Sequence, residues 1–111
     1  MAQMHPDLAI LMRTLADPTR RALYERVVAN GEAAVVELTA GSGVSQPAVS
    51  QHLKALRTAG LVAERRDGRT TRYRATPEGL APLVDWMGVY GIFWADRFAT
   101  LKSVLKEIDP K

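Results

Sequence analysis

The clearest indication of the fold is the segment Ser45-Gln46-Pro47-Ala48-Val49-Ser50-Gln51-His52-Leu53. Ser45 is a favourable helix N-cap, and proline is tolerated in the first helical turn that follows it. Val49, Leu53 and Leu56 recur at helical spacing, so they share one face of that helix. The pattern predicts a helix over about 46–59 that has one buried face and one polar face.

Two helices are predicted before a short third one. The first covers the apolar positions from Leu8 to Leu15 and ends before Asp17-Pro18, since the residue preceding proline disfavours the helical region. Asp17 can then cap a second helix that has proline at its first position. Asn30-Gly31 marks the end of that helix.

The third helix is expected from about Ala34 to Ala40. Val35 and Leu38 are its expected core residues, and Val36 is a further candidate. The glycine-containing segment 41–44 forms the turn that leads to Ser45. A short helix, a turn and a second helix with small polar residues at its start are typical of a helix-turn-helix motif.

A β-hairpin and a long helix are predicted after the motif. The strand-like runs 61–66 and 69–75 flank Asp67-Gly68, which is a strong short-range hairpin signal. Thr76-Pro77-Glu78 supplies an N-cap, a proline and early negative charge for a last helix over 77–108. The expected fold is mainly α with a small β-hairpin: a winged helix-turn-helix of five helices and a two-stranded wing, in the order α-α-α-α-β-β-α.

The composition indicates one ordinary globular domain over residues 1–111. Apolar residues make up 47% and charged residues 24% of the chain, and no apolar run is long enough to span a membrane. Cysteine is absent, which excludes disulfides, thiolate metal ligands and thiol catalysis. No segment resembles a secretory signal, so the expected location is the cytoplasm and no membrane partner is expected.

Positive charge is concentrated in the helix-turn-helix and hairpin region. The net charge of the chain is +3, but within 45–75 the cations clearly outnumber the anions Glu64 and Asp67. A single concentrated basic segment is expected of a surface that binds a polyanion. The side chains expected to contact DNA phosphates, on the helix and on the wing, are His52, Lys54, Arg57, Arg65, Arg66, Arg69, Arg72 and Arg74.

The polar face of the helix over 46–59 is expected to read bases in the major groove of double-stranded DNA. Glutamine can form a bidentate pair with adenine, serine can contact either base or phosphate, and a proline ring can contact a thymine methyl. The expected base-reading residues are Ser45, Gln46, Pro47, Ser50 and Gln51. Arg69, at the hairpin tip, is the best candidate to reach into a minor groove.

These motifs together resemble the ArsR-type family of winged-helix repressors. The resemblance covers about residues 8–100 and is carried by the runs Leu15-Ala16-Asp17-Pro18-Thr19-Arg20-Arg21-Ala22-Leu23, Val44 to Leu56, and Ala59-Gly60-Leu61-Val62. It implies a homodimer, with the first and last helices at the interface, that occupies a pseudo-palindromic operator and blocks transcription until it is released. Segments 1–16 and 77–108 are therefore the expected dimerisation helices.

Neither a metal cofactor nor an enzymatic activity is expected. Many members of the family sense metals through cysteines on the third helix, which this chain lacks, and no histidine follows His52 to supply a site on the last helix. His5 and His52 are too few for a histidine-rich site. Ser50 and His52 lie two residues apart on a helix and point in different directions, so they do not form a nucleophile and base pair.

The last helix contains most of the aromatic residues of the chain. A two-fold partner or an unidentified apolar effector could cover them, and the sequence leaves both open. The residues expected at the dimer interface or effector site are Leu8, Leu11, Met12, Trp86, Tyr90, Phe93, Trp94 and Phe98. An alternative function also stays open: a protein-interaction module that docks a partner through this helix and has no specific DNA target.

Overall fold

The computed structural model describes residues 6–108 of the chain. Its helices are α1 (Pro6–Ala16), α2 (Pro18–Asn30), α3 (Val35–Thr39), α4 (Gln46–Thr58) and α5 (Ala81–Ile108). Its strands are β1 (Glu32–Ala34), β2 (Val62–Asp67) and β3 (Thr70–Ala75), and a 3-10 turn over Pro77–Leu80 precedes α5. The order of elements confirms the predicted winged helix-turn-helix arrangement. His5 and the start of the predicted dimerisation segment 1–16 lie outside the described residues.

The wing has three strands where the sequence predicts two. The sheet is antiparallel with the order β1-β3-β2, and Ala33 of β1 lies opposite Tyr73 of β3. Both side chains are buried, at 0% and 3% exposure. A strand of three residues is too short to show an alternating pattern, and it is held by pairing with residues about forty positions away in the sequence.

The hairpin turn consists of Gly68 and Arg69. Asp67 pairs with Thr70, which leaves these two residues unpaired between the strands. Gly68 has a φ of +64°, whereas no described non-glycine residue has a positive φ. Glycine at the first central position is typical of a type II′ turn, so Arg69 is held at the tip of the wing.

The core lies between α2, α4 and the sheet. Val49, Leu53 and Leu56 of α4 have no exposed surface, as the sequence predicts. Leu8 and Leu11 of α1 are also buried within this chain, at 1% and 2% exposure. The remaining core side chains include Leu23, Val27, Ala33, Leu38, Leu61, Val62 and Tyr73.

Side-chain caps begin α2 and α4. The Asp17 carboxylate accepts a hydrogen bond from the Arg20 backbone N–H at 3.0 Å, which lowers the pKa of Asp17. The Ser45 hydroxyl accepts one from the Ala48 backbone N–H at 3.3 Å. These two predicted N-caps therefore satisfy backbone donors that the first helical turn leaves without a partner. The third predicted N-cap, Thr76, makes no side-chain cap, because its hydroxyl donates a hydrogen bond to the Gly60 carbonyl oxygen at 2.6 Å instead.

Arg26 joins α2 to the end of α3. Its guanidinium donates hydrogen bonds to the carbonyl oxygens of Glu37, Leu38 and Ala40 at 3.0, 2.8 and 3.1 Å. Carbonyls at a helix C-terminus lack intrahelical partners and carry partial negative charge, which a cation stabilises. This contact sets the position of α3 and of the turn that leads into α4.

Helix α5 projects from the body of the chain. The radius of gyration is 17.7 Å, compared with about 13 Å for a compact chain of this length. The chain enters α5 through the 3-10 turn, so the predicted helix over 77–108 begins four residues late as an α-helix. Leu80 and Leu83 pack against the core, whereas the apolar side chains further along α5 are largely exposed.

Candidate nucleic-acid interface

The outer face of α4 presents the predicted base-reading side chains to solvent. Gln46, Pro47 and Gln51 are exposed, and Ser50 is half-buried on the side of α4 that faces the wing. Ser45 is also exposed, although its oxygen is engaged as the helix cap. Its hydroxyl proton remains available for donation, which suits a phosphate better than a bidentate base contact.

Arg65 and Arg72 of the wing share the carboxylate of Glu32. The Glu32 carboxylate lies 2.9 Å from Arg65 Nη2 and 3.4 Å from Arg72 Nε. Arg65 and Arg72 are directly opposite each other on β2 and β3, an arrangement that is destabilising for two like charges. Glu32 relieves this repulsion. The hydrogen bonds from Arg65 are the main cause of the lowered pKa of Glu32. Glu37 adds a longer contact of 4.0 Å to Arg72.

Arg57 is also engaged by a carboxylate. Its Nη1 lies 2.6 Å from Glu64 Oε1, so the end of α4 is tied to β2. Among the side chains predicted to contact phosphate, those that have no ion pair within residues 6–108 are Lys54, Arg66, Arg69 and Arg74. All of these are exposed, and they are the cations most available to DNA.

His52 is held by the neighbouring helix. Its Nδ1 accepts a hydrogen bond of 3.4 Å from Arg20 Nε, and Arg20 also donates to the Thr14 carbonyl oxygen. A neutral imidazole has one N–H group, and because Nδ1 accepts a hydrogen bond here, that N–H is at Nε2. His52 thus joins α4 to α2, and only Nε2 can serve the predicted phosphate contact. The sequence contains no signal for the part played by Arg20.

A cleft separates the start of α4 from the wing. It is lined by Val35, Val36, Gln46, Ser50, Arg69, Thr70 and Thr71. Two predicted base-reading residues and the wing-tip arginine therefore border one depression. Thr70 and Thr71 were not predicted as site residues, although their hydroxyl groups are short hydrogen-bonding groups suited to phosphate.

Val36 lies outside the core, contrary to its place among the candidate core residues. Its side chain is 64% exposed, whereas Val35 is 9% exposed and Leu38 is fully buried. Positions three apart share a helix face, and position 36 is turned about 100° from position 35. The helical pattern could therefore have excluded Val36 from the core.

The predicted aromatic residues form contacts along α5. The rings of Trp86 and Tyr90 have centroids 5.2 Å apart, and those of Trp94 and Phe98 are stacked at 5.8 Å. Phe93 contacts Trp94 edge-on at 4.8 Å. The exposed fractions of Trp86, Phe93, Trp94 and Phe98 range from 40% to 56%. The Arg97 guanidinium lies over the Phe93 ring at 4.2 Å, and within residues 6–108 these rings otherwise leave a large apolar surface exposed.

The described part of the chain offers no cluster for a metal ion. No group of three or more His, Cys, Asp or Glu side chains suitable for a metal occurs within residues 6–108. None of the helices in this range is long and apolar enough to cross a membrane.

Comparisons with known proteins agree with this architecture. A family model described as a helix-turn-helix domain matches residues 15–65. The chain is similar to the HTH-type transcriptional regulator Rv2034 of Mycobacterium tuberculosis, with 53% identity over 78 residues, 70% of each chain.

Two solved structures share most of the fold. A crystal structure of an ArsR family transcriptional regulator has a TM-score of 0.73 and 28% identity, and covers 86% of this chain and 97% of that one. The transcriptional repressor BigR from Xylella fastidiosa has a TM-score of 0.60 and 38% identity, and the match covers 78% of this chain and 86% of that chain.

Proposed function

The chain belongs to the ArsR family of winged helix-turn-helix transcriptional regulators, and on this premise we propose that it is a dimeric, sequence-specific DNA-binding repressor. One observation carries the proposal. The exposed polar face of α4 shares a cleft with Arg69, a wing cation that makes no ion pair within residues 6–108. The repressor role is supported by the name of BigR, a similar protein.

Base reading is assigned to the first turns of α4. Gln46 and Gln51 would pair with adenine edges, Ser50 would contact a base or phosphate, and the Pro47 ring would contact a thymine methyl. Ser45 is assigned to phosphate because its oxygen caps the helix. In a dimer, the two copies of α4 would enter successive major grooves about 34 Å apart.

Phosphate binding is assigned to the unpaired cations. Lys54 lies further along α4, and Arg66, Arg69 and Arg74 lie on the wing. Arg69 would reach the minor groove from the tip of the hairpin. The paired residues Arg57, Arg65 and Arg72 are predicted phosphate contacts too, but their charges are already matched, so we assign them to positioning the wing.

Dimerisation is assigned to α5, with α1 beside it. Apolar or small residues recur along α5 at alternating steps of three and four, at Val84, Met87, Gly91, Trp94, Phe98, Leu101, Leu105 and Ile108. This spacing is the a and d pattern of a coiled coil, which buries its seam against another helix. Because Leu8 and Leu11 pack inside the chain, α1 would contribute through Ile10, which is 43% exposed, and the half-buried Met12.

Release from DNA is assigned to a signal other than a cysteine-bound metal, because the chain has no cysteine. Three aromatic rings of α5 lie off the seam, those of Trp86, Tyr90 and Phe93, and the more exposed Trp86 and Phe93 are the best candidates to receive an apolar effector. An effector bound there would shift the dimer helices against each other. This shift would change the spacing and orientation of the two copies of α4.

A binding selection tests the proposal. The wild-type protein is expected to enrich a pseudo-palindrome from a pool of random duplexes and to bind it more tightly than an unrelated duplex of equal length. Gln46→Ala and Ser50→Ala are expected to reduce that preference by about tenfold or more each, because a good base contact discriminates by about 1–3 kcal/mol. If both variants retain the full preference, α4 does not read the sequence.

The exposed apolar surface of α5 also favours the second candidate, a protein-interaction module. The same selection separates the two functions. A folded protein that enriches no duplex at low salt would support the interaction module and contradict the repressor.

A further inference from the structure

Val36 is an exposed aliphatic side chain in the cleft between α4 and the wing, where the other aliphatic residue, Val35, is 9% exposed. It lies at the start of α3 and is 64% exposed. The cleft it lines is bordered on the α4 side by Gln46 and Ser50 and on the wing side by Arg69, Thr70 and Thr71. An apolar side chain among base-reading and phosphate-binding groups indicates an apolar feature of the ligand.

The major groove offers one apolar group on its base edges, the 5-methyl group of thymine. A glutamine that pairs with adenine faces a base pair whose thymine methyl projects into the same groove. Gln46 shares the cleft with Val36, so DNA read by Gln46 brings thymine methyls close to Val36. The unpaired cation that would hold phosphate, Arg69, lies on the wing side of the cleft.

We propose that Val36 is a specificity-determining residue that contacts the 5-methyl group of a thymine in each half of the DNA site. The inference rests on the proposed function, because it requires α4 to lie in the major groove. It extends base recognition from α4 to α3, the helix that Arg26 fastens to α2.

Replacement of thymine by deoxyuridine tests the contact, because it removes the methyl group and leaves the hydrogen-bonding edge intact. A duplex enriched by the wild-type protein is substituted at one thymine of each half-site at a time, and the Kd is measured by fluorescence anisotropy at one salt concentration. At the thymine that Val36 contacts, deoxyuridine removes one methyl group from an apolar environment in each half-site. Each lost methyl group is expected to weaken wild-type binding by about fourfold. Val36→Ala is expected to bind the thymine and deoxyuridine duplexes equally well.

Val28→Ala is the matched control. Val28 is also an exposed valine, at 50%, but lies on α2 outside the cleft. Val28→Ala is expected to retain the wild-type ratio of the Kd for the deoxyuridine duplex to the Kd for the thymine duplex. Because both valines are exposed, both variants are expected to melt close to the wild-type temperature.

The outcomes distinguish the inference from the function on which it rests. A Val36→Ala variant that retains the wild-type ratio at every thymine would overturn the methyl contact and leave the repressor intact. A Val36→Ala variant that weakens both duplexes by the same factor retains this ratio too, and that result would indicate a contact with a part of the DNA other than the methyl group. A wild-type protein that enriches no duplex would refute the proposed function itself.

Discussion

Glu32 on β1 accepts two hydrogen bonds from the guanidinium of Arg65 on β2, at 2.9 and 3.1 Å, across the intervening strand β3. The same carboxylate lies 3.4 Å from Arg72 of β3. One side chain of the strand that precedes α3 therefore joins all three strands at the base of the wing.

Acid is expected to weaken the fold through Glu32. The pKa of Glu32 is lowered from its ordinary value of 4.5, mainly by the hydrogen bonds from Arg65. Its contribution to stability is therefore present above pH 4.5 and is lost as the pH falls through the lower value of the folded state. In Glu32→Gln, the melting temperature should fall less between pH 6 and pH 3 than in the wild type.

Glu25→Gln provides the control for this pH series. Glu25 is exposed on α2 and makes no ion pair within residues 6–108. This variant should retain the pH dependence of the wild type. Parallel curves for Glu32→Gln and the wild type would show that the Glu32 contact does not stabilise the fold.

Salt dependence should distinguish free from neutralised arginines. The slope of log K against log salt becomes less steep by about 0.9 for each phosphate that the protein no longer neutralises, so Arg69→Ala in both copies of a dimer should reduce its magnitude by about 1.8. Arg65→Ala should change the slope by less than half as much, because Glu32 already matches the Arg65 charge. Affinity titrations at four or more salt concentrations measure both slopes, and equal changes would contradict the assignment.

Arg26 is expected to stabilise the helix-turn-helix through α3. Arg26→Ala removes hydrogen bonds from a charged donor to three carbonyl oxygens and should lower the free energy of unfolding by about 2 kcal/mol. Arg21→Ala, which removes one exposed bond to the Leu15 carbonyl oxygen, should cost less than about 1 kcal/mol. Urea unfolding followed by circular dichroism gives both values, and an equal cost would argue against a special role for Arg26.

Gly79 is expected to tolerate no side chain. A Cβ at this position would clash with the Gly60 carbonyl oxygen, a backbone atom. Gly79→Ala must therefore displace the junction between α4 and β2 and should cost at least about 1–3 kcal/mol. In Gly88→Ala the new Cβ meets no atom within 4 Å in the described part of the chain apart from its own stretch of helix, so this variant should be no less stable than the wild type. Thermal unfolding of the two variants compares them directly.

The features that the sequence predicted are those encoded by neighbouring residues. Val49, Leu53 and Leu56 show the helical period, and Asp67-Gly68 signals the hairpin, so α4 and the wing could be placed from the sequence. The features that were missed depend on distant residues. Strand β1 exists through pairing with β3, and Glu32 is thirty-three positions from Arg65.

The same reason limits what the sequence could say about the site. Every arginine of the wing is an equivalent cation in the sequence, and only the folded chain shows which ones face a carboxylate. The cleft likewise joins α3, α4 and the wing, so the placement of Val36 beside Gln46 is a property of the tertiary structure.

Dimerisation through the apolar seam of α5 is expected to fail when a charge is placed in it. Leu101 lies on the seam and is 51% exposed, whereas Val89 is 68% exposed and lies on the opposite side of the helix. Leu101→Glu would remove an apolar contact and bury a carboxylate in each copy, which should weaken the dimer by at least about a hundredfold. Val89→Glu places the same charge outside the seam and should remain dimeric. Sedimentation equilibrium at several protein concentrations measures both dimer dissociation constants. A Leu101→Glu variant as dimeric as Val89→Glu would show that another surface joins the two copies.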